Sequence, residues 1–99
     1  MALPHEADGH KHIFHQFVVR VGGGRRDELQ QCLADRSIGS EVYYPLSLHL
    51  QGCFKHFGYQ PGDFSESEKA TAEVLALPIY AELTEDQQRY IVQSIAELV

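Results

Sequence analysis

The run Ile13-Phe14-His15-Gln16-Phe17-Val18-Val19-Arg20-Val21 constrains the fold more than any other part of the chain. It is dense in β-branched and aromatic residues, which suit an extended, packed backbone better than a helix. Alternation sets Ile13, His15, Phe17, Val19 and Val21 on one face and Phe14, Gln16, Val18 and Arg20 on the other. Both faces carry apolar side chains, so the pattern predicts a central strand over residues 13–21. Gly22, Gly23 and Gly24 end it. Triple glycine between a strand and a helix invites a phosphate-loop reading. However, neither GxGxxG nor GxxxxGK[ST] is present, and a flexible turn is the reading the residues support.

Residues 25–36 read as a helix. Leu29, Cys32 and Leu33 share one apolar face. Asp27 and Glu28 fall in the first turn and Arg36 near the end, where the helix dipole favours each sign. Gly39 is placed to stop this helix in a left-handed conformation. Residues 41–44 (Glu-Val-Tyr-Tyr) form a short strand ended by Pro45. A short helix over 49–57 is closed by Gly58, and residues 59–64 form a loop. Ser65 and Glu68 make an S-x-x-E capping box that opens a helix to about Leu75, with Ala70, Val74 and Leu75 inward. Residues 77–80 are extended. Thr84 and Gln87 make a second capping box. The last helix then runs to about Leu98, with Ile91, Ile95 and Leu98 on one stripe and Val92 beside it. Residues 1–11, polar and carrying Pro4 and Gly9, are a flexible lead-in to a domain over 12–99. Strands mixed with about four helices, without regular βαβ alternation, predict an α+β fold: a small antiparallel sheet covered by helices.

Composition narrows the function. Ninety-nine residues make one small domain with a modest core. Five tyrosines and five phenylalanines accompany the net charge of −6, so the chain is not disordered. Eight basic residues against fourteen acidic ones argue against a nucleic-acid partner and against a polybasic membrane patch. No apolar run approaches the roughly 18 residues of a membrane span. The first fourteen residues lack the apolar core and cleavage pattern of a signal peptide. Cys32 and Cys53 are too few for a disulfide framework and read as free thiols of a cytoplasmic protein.

Few residues are arranged for chemistry. His5, His10, His12 and His15 precede or begin the first strand, and His10-x-His12 would share one side of an extended chain. A zinc site needs three or four preorganised ligands, and no acid or cysteine stands at a fixed spacing nearby, so no metal site is assigned. Cys53 and His56 lack the orienting third group and oxyanion donors of a hydrolase. Glu66, Glu68, Glu85 and Asp86 sit at helix starts, where capping and the dipole place them. No catalytic residue is assigned. The stretch from Tyr43 to Gln51 differs: two tyrosines, a proline bend, a histidine and a glutamine follow a strand end, where binding groups gather. Turns of purely structural role carry the same residues, however, and the residues alone favour that structural reading.

The ordered series His12 to Val21, Arg25-Arg26-Asp27-Glu28-Leu29, Tyr43-Tyr44-Pro45-Leu46-Ser47-Leu48-His49-Leu50-Gln51, then Glu68 with Val74-Leu75-Ala76-Leu77-Pro78-Ile79-Tyr80 resembles the C-terminal domain of the DegT/StrS-type nucleotide-sugar aminotransferases. The resemblance spans about His12 to Val99 and departs at Ser47 and Ala81, where proline is usual. Ser47 is expected to leave its loop less rigid. For an intact member the resemblance implies a fold-type I aminotransferase using pyridoxal phosphate. It implies transfer of the amino group of glutamate to a keto-sugar on a nucleotide. It also implies a large N-terminal domain carrying the Schiff-base lysine and the aspartate of the pyridinium nitrogen. It points to His49, then Tyr44 and Tyr43, as substrate-binding residues facing the cleft. Lys11, Lys55 and Lys69 match no Schiff-base lysine, so this chain alone is expected to bind no cofactor and to be inactive. Its expected partners are the large N-terminal domain, a nucleotide-sugar ligand or a second copy of itself. An excised domain, a truncated reading frame and a stand-alone ligand-binding or interaction module all fit.

Overall fold

The computed structural model describes residues 1–99. Strand β1 (Phe17–Arg20) pairs antiparallel with β2 (Val74–Leu77), in the register Phe17 with Leu77, Val18 with Ala76, Val19 with Leu75 and Arg20 with Val74. Between them lie α1 (Arg26–Asp35), two short 3₁₀ segments (Leu48–Leu50 and Gly52–Phe57) and α2 (Ser65–Glu73); α3 (Glu85–Ala96) follows β2. The α+β class and the antiparallel sheet stand as expected. The helical complement is three α-helices plus the 3₁₀ segments.

The first strand is shorter than its sequence run. Phe14 takes a left-handed φ of 47°, its N–H donates to Nδ1 of His12 at 2.8 Å, and its ring stacks on that imidazole at 4.2 Å. This kink takes Ile13 out of the strand, and Ile13 is 84% exposed. At the other end the Val21 N–H donates to the Glu73 carbonyl, and the three glycines turn the chain into α1. The strand expected over 41–44 is reduced to one bridge, in which Glu41 and Ala76 exchange hydrogen bonds at 2.8 and 3.1 Å. Bends at Tyr43 and Pro45 then lead the chain off the sheet edge. On the far edge, Ala2 of the lead-in exchanges two bonds with Arg20 at 2.8 and 2.9 Å.

Helix ends show where local signals were sufficient. Thr84 and Gln87 form the expected reciprocal capping box of α3. The Ser65–Glu68 box does not form: Phe64 is the N-cap residue and Ser65 already lies inside α2. That helix also stops at Glu73, because Val74 and Leu75 belong to β2. The stop of α1 falls on Ser37, not Gly39. Ser37 has φ 60°, its N–H donates to Ala34 O, and the Ile38 N–H donates to Leu33 O. These are the paired bonds of a Schellman turn, completed by apolar burial of Ile38 in the Leu33 cluster. Arg36 does not serve the dipole of α1 from within its last turn. It pairs with Glu97 at 2.7 Å, and its carbonyl accepts from the Tyr90 hydroxyl at 3.1 Å.

The core lies between one sheet face and the helices α1 and α3: Val19, Val21, Leu29, Leu33, Ile38, Leu75, Ile91 and Ile95. Val19, Leu33 and Leu75 have no exposed surface. Leu98 packs against this cluster, whereas Val92, expected beside the stripe, is 65% exposed. Arg26 of α1 is the polar counterpart of this packing. Its guanidinium donates to the carbonyls of Thr71 and Val74 at 3.0 and 3.1 Å, capping the end of α2 and tying it to α1. Arg20 similarly binds Glu73 through Nε and Nη2 at 3.0 and 2.7 Å. At the start of α1 the Arg25 guanidinium holds the Glu28 carboxyl below its ordinary range by hydrogen bond and charge.

Leu33→Ala should destabilise the chain by about 2–5 kcal/mol, because the site is enclosed on all sides and a cavity remains. Thr84→Ala should cost only about 1 kcal/mol by loss of one cap. Denaturant unfolding of the two variants checks this order.

Candidate functional site

Two concave surfaces flank the segment that carries Tyr43, Tyr44 and His49. The larger, about 670 Å³, lies between the turn after α1, the end of β2 and the start of α3. His15, Glu41, Tyr43, Tyr80, Leu83 and Tyr90 are among the residues that line it. The smaller, about 360 Å³, is formed by Leu48, His49, Phe54, Phe57, Tyr59, Phe64 and Ser67. Tyr43 thus faces the first and His49 the second. Tyr44 lines neither and is 62% exposed.

The His49 side chain is only 7% exposed. It is held edge-on by Phe64, with ring centroids 4.9 Å apart, and Tyr59 stands edge-on to Phe64 at 5.0 Å, an arrangement that aromatic quadrupoles favour. Its Nε2 is sealed from solvent and makes no hydrogen bond. The group facing that nitrogen is the Glu68 carboxylate, with Oε2 at 3.4 Å. Glu68 is itself fixed: the Gly62 N–H donates to Oε2 at 2.8 Å and Oε1 at 3.0 Å. Gly62 has φ 94°, a conformation that favours glycine. Asp63 accepts from the Gln60 N–H at 2.7 Å and closes the turn.

Ser47, expected to loosen its loop, is 97% buried, and the Ser67 hydroxyl donates to its Oγ at 3.1 Å. The segment before His49 is therefore fastened to the first turn of α2 by a hydroxyl pair. Sequence reasoning missed Glu68, Ser67, Tyr59 and Phe64 at this site. The S-x-x-E spacing suggested a local use for Glu68, whereas its partners come from the preceding loop and from the 3₁₀ segment. No local pattern encodes those partners.

The remaining candidates do not assemble into a site. Cys53 Sγ lies near Gln51 Oε1 at 3.9 Å, while His56 packs on the Phe57 ring at 4.2 Å. The His10 ring meets the Asp8 carbonyl and His12 meets Phe14. No group of three or more metal-ligating side chains gathers anywhere in the chain. Cys32 is half-buried on α1, Cys53 is exposed, and both thiols are free. None of Lys11, Lys55 and Lys69 lines either cleft, and all three are exposed. A Schiff base needs a lysine amine inside the reacting cleft, so the residues present here do not fit pyridoxal phosphate. No helix is long and apolar enough to cross a membrane.

Comparison with known proteins places this geometry. A "Pleiotropic regulatory protein" of Geobacillus stearothermophilus is 50% identical over 97 residues, which are 98% of this chain and 26% of the relative. A dTDP-3-amino-3,4,6-trideoxy-alpha-D-glucose transaminase of Micromonospora megalomicea subsp. nigra is 32% identical over 100% of this chain and 26% of its own length. Among solved structures, S. venezuelae DesV in complex with a ketimine intermediate superposes with a TM-score of 0.91 at 30% identity, over 98% of this chain and 26% of that one. The chain therefore spans about a quarter of the length of the relatives it matches. The model of the DegT/DnrJ/EryC1/StrS aminotransferase family matches residues 1–96, and the chain belongs to that family, as a C-terminal segment of it.

Proposed function

We propose that the chain acts as the C-terminal domain of a pyridoxal-phosphate-dependent nucleotide-sugar aminotransferase in the cytoplasm. In this reading it borders the substrate cleft and does no chemistry alone. The observation that carries this reading is the coverage: 98–100% of this chain aligns with only 26% of a sugar transaminase and of DesV. The surface agrees with it. Fifteen large apolar residues are exposed, against eight buried ones, and the exposed set includes Tyr43, Tyr80 and Tyr90 around the larger cleft. Such a surface suits a large N-terminal domain or a second copy as its cover. The cofactor, an electron sink when bound, would be held by residues outside this chain. His49, Tyr44 and Tyr43 are assigned to the nucleotide sugar, with His49 as a hydrogen-bonding group and the tyrosines as rings with a polar tip.

A second reading is favoured by one finding: the 50%-identical relative is named as a regulatory protein. In that reading the chain is a binding or interaction module that uses the same residues without catalysis.

Stoichiometric pyridoxal phosphate should give no saturable Schiff-base absorbance, and borohydride reduction should leave only weak label spread over the exposed Lys11, Lys55 and Lys69. A single trapped lysine would overturn the claim of inactivity. An in-frame large domain encoded upstream of Met1 is the outcome expected for the first reading over the second. Addition of dTDP-glucose should move the ring signals of His49 and of the two tyrosines in NMR spectra. Signals that stay in place at saturating ligand would remove the ligand-facing role.

A further inference from the structure

We infer that Glu68 is the positioning residue of His49: it takes the proton of Nε2 as a hydrogen bond and so leaves Nδ1 as the bare acceptor offered to a ligand. This rests on the ligand-facing reading of His49, but its first half stands on geometry alone. Nε2 is sealed and unpartnered, and burying such a group without a hydrogen bond is unfavourable. Glu68 Oε2 faces it at 3.4 Å, so an approach of roughly 0.4 Å completes an ordinary N–H···O bond. Glu68 does not depend on His49 for its place, since the Gly62 N–H already binds both its oxygens. Phe64 edge-on to the imidazole limits its swing, and the Ser67–Ser47 bond fixes the backbone two residues before it. A carboxylate beside one ring nitrogen selects the tautomer and aims the other nitrogen.

The chemical consequence concerns the ligand. With Nε2 committed, a neutral His49 presents an acceptor, so the matching ligand group is a hydrogen-bond donor such as a sugar hydroxyl, not a phosphate oxygen.

The test is a long-range proton–nitrogen NMR spectrum of the ¹⁵N-labelled chain, at a pH where histidine is neutral. His49 should show the Nε2-protonated tautomer, with its ring proton exchanging at least about tenfold more slowly than those of the exposed His5 and His10. Glu68→Ala should bring the exchange to the exposed level. Glu68→Gln should preserve the protection, because a single oxygen, Oε2, both accepts from Gly62 and faces His49. A Glu68 that served Gly62 alone would leave the His49 proton protected in E68A, and that result overturns the proposal. A wild-type His49 proton that exchanges as fast as the exposed ones overturns it as well, without any variant, so a poorly folded E68A does not decide the matter. Loss of protection in E68Q with the Leu33 and Ile95 methyl signals in place would also overturn it. No nucleotide sugar enters this measurement, so its failure is distinct from failure of the dTDP-glucose titration.

Discussion

Four residue pairs join β1 to β2, and the Arg20–Glu73 contact beside them spans 53 positions of sequence. A two-stranded ribbon of this size is not stable in water by itself. Its persistence depends on covering one face: Val19 and Leu75, neighbours across the ribbon, are sealed with Leu33 of α1, and Ile91 and Ile95 of α3 join the same cluster. Complete burial of each such side chain contributes about 1.5–3 kcal/mol. The rest of the architecture holds this sandwich in place. Arg26 carries α1 onto the end of α2, Tyr90 and Glu97 carry α3 onto the end of α1, and Arg20 clamps the β1 end to the last residue of α2.

The segment between the two clefts inherits its order from that frame. One edge of β2 is met by Glu41, and the chain then leaves the sheet through Tyr43 and Pro45 with no further ladder to guide it. It is caught again by α2, through Ser47 on Ser67 and His49 beside Glu68. Both catches come from the first turn of α2, so the geometry around His49 is set by where that helix begins. The buried Ser47 hydroxyl is thus held by the hydroxyl of Ser67, which lies at the protein surface. The bond satisfies the Ser47 oxygen, which burial would otherwise penalise.

The class of fold, the course of α1, the capping box of α3 and the closure at Gly58 were legible in the sequence because each is written within a few neighbouring residues. Gly58 indeed takes a left-handed φ of 77°. What was not legible was decided at a distance. Phe14 leaves the strand because His12 offers it a better partner. Val74 and Leu75 leave the helix because β1 is there to receive them. Ser37 accepts the left-handed turn that Gly39 was expected to make, because ending the helix there lets Ile38 bury against Leu33. The resemblance grouped His49 with Tyr44 and Tyr43, whereas the structure sets His49 and Tyr43 on two different concave surfaces and Tyr44 on neither. The S-x-x-E spacing drew Glu68 toward capping, whereas its partners are Gly62 and His49, which spacing along a helix cannot reveal.

The order of β1 and β2 along the chain has a consequence for synthesis. During translation β1 leaves the ribosome well before β2, and the separation of 53 residues corresponds to about 3–10 s at ordinary elongation rates. In that interval α1 can form locally, but Val19 has no opposite strand and the hydrogen-bonding edge that β2 will occupy is open. The nascent chain thus carries an unpaired, apolar edge for seconds, a state open to chaperone capture or to pairing with a neighbouring nascent chain.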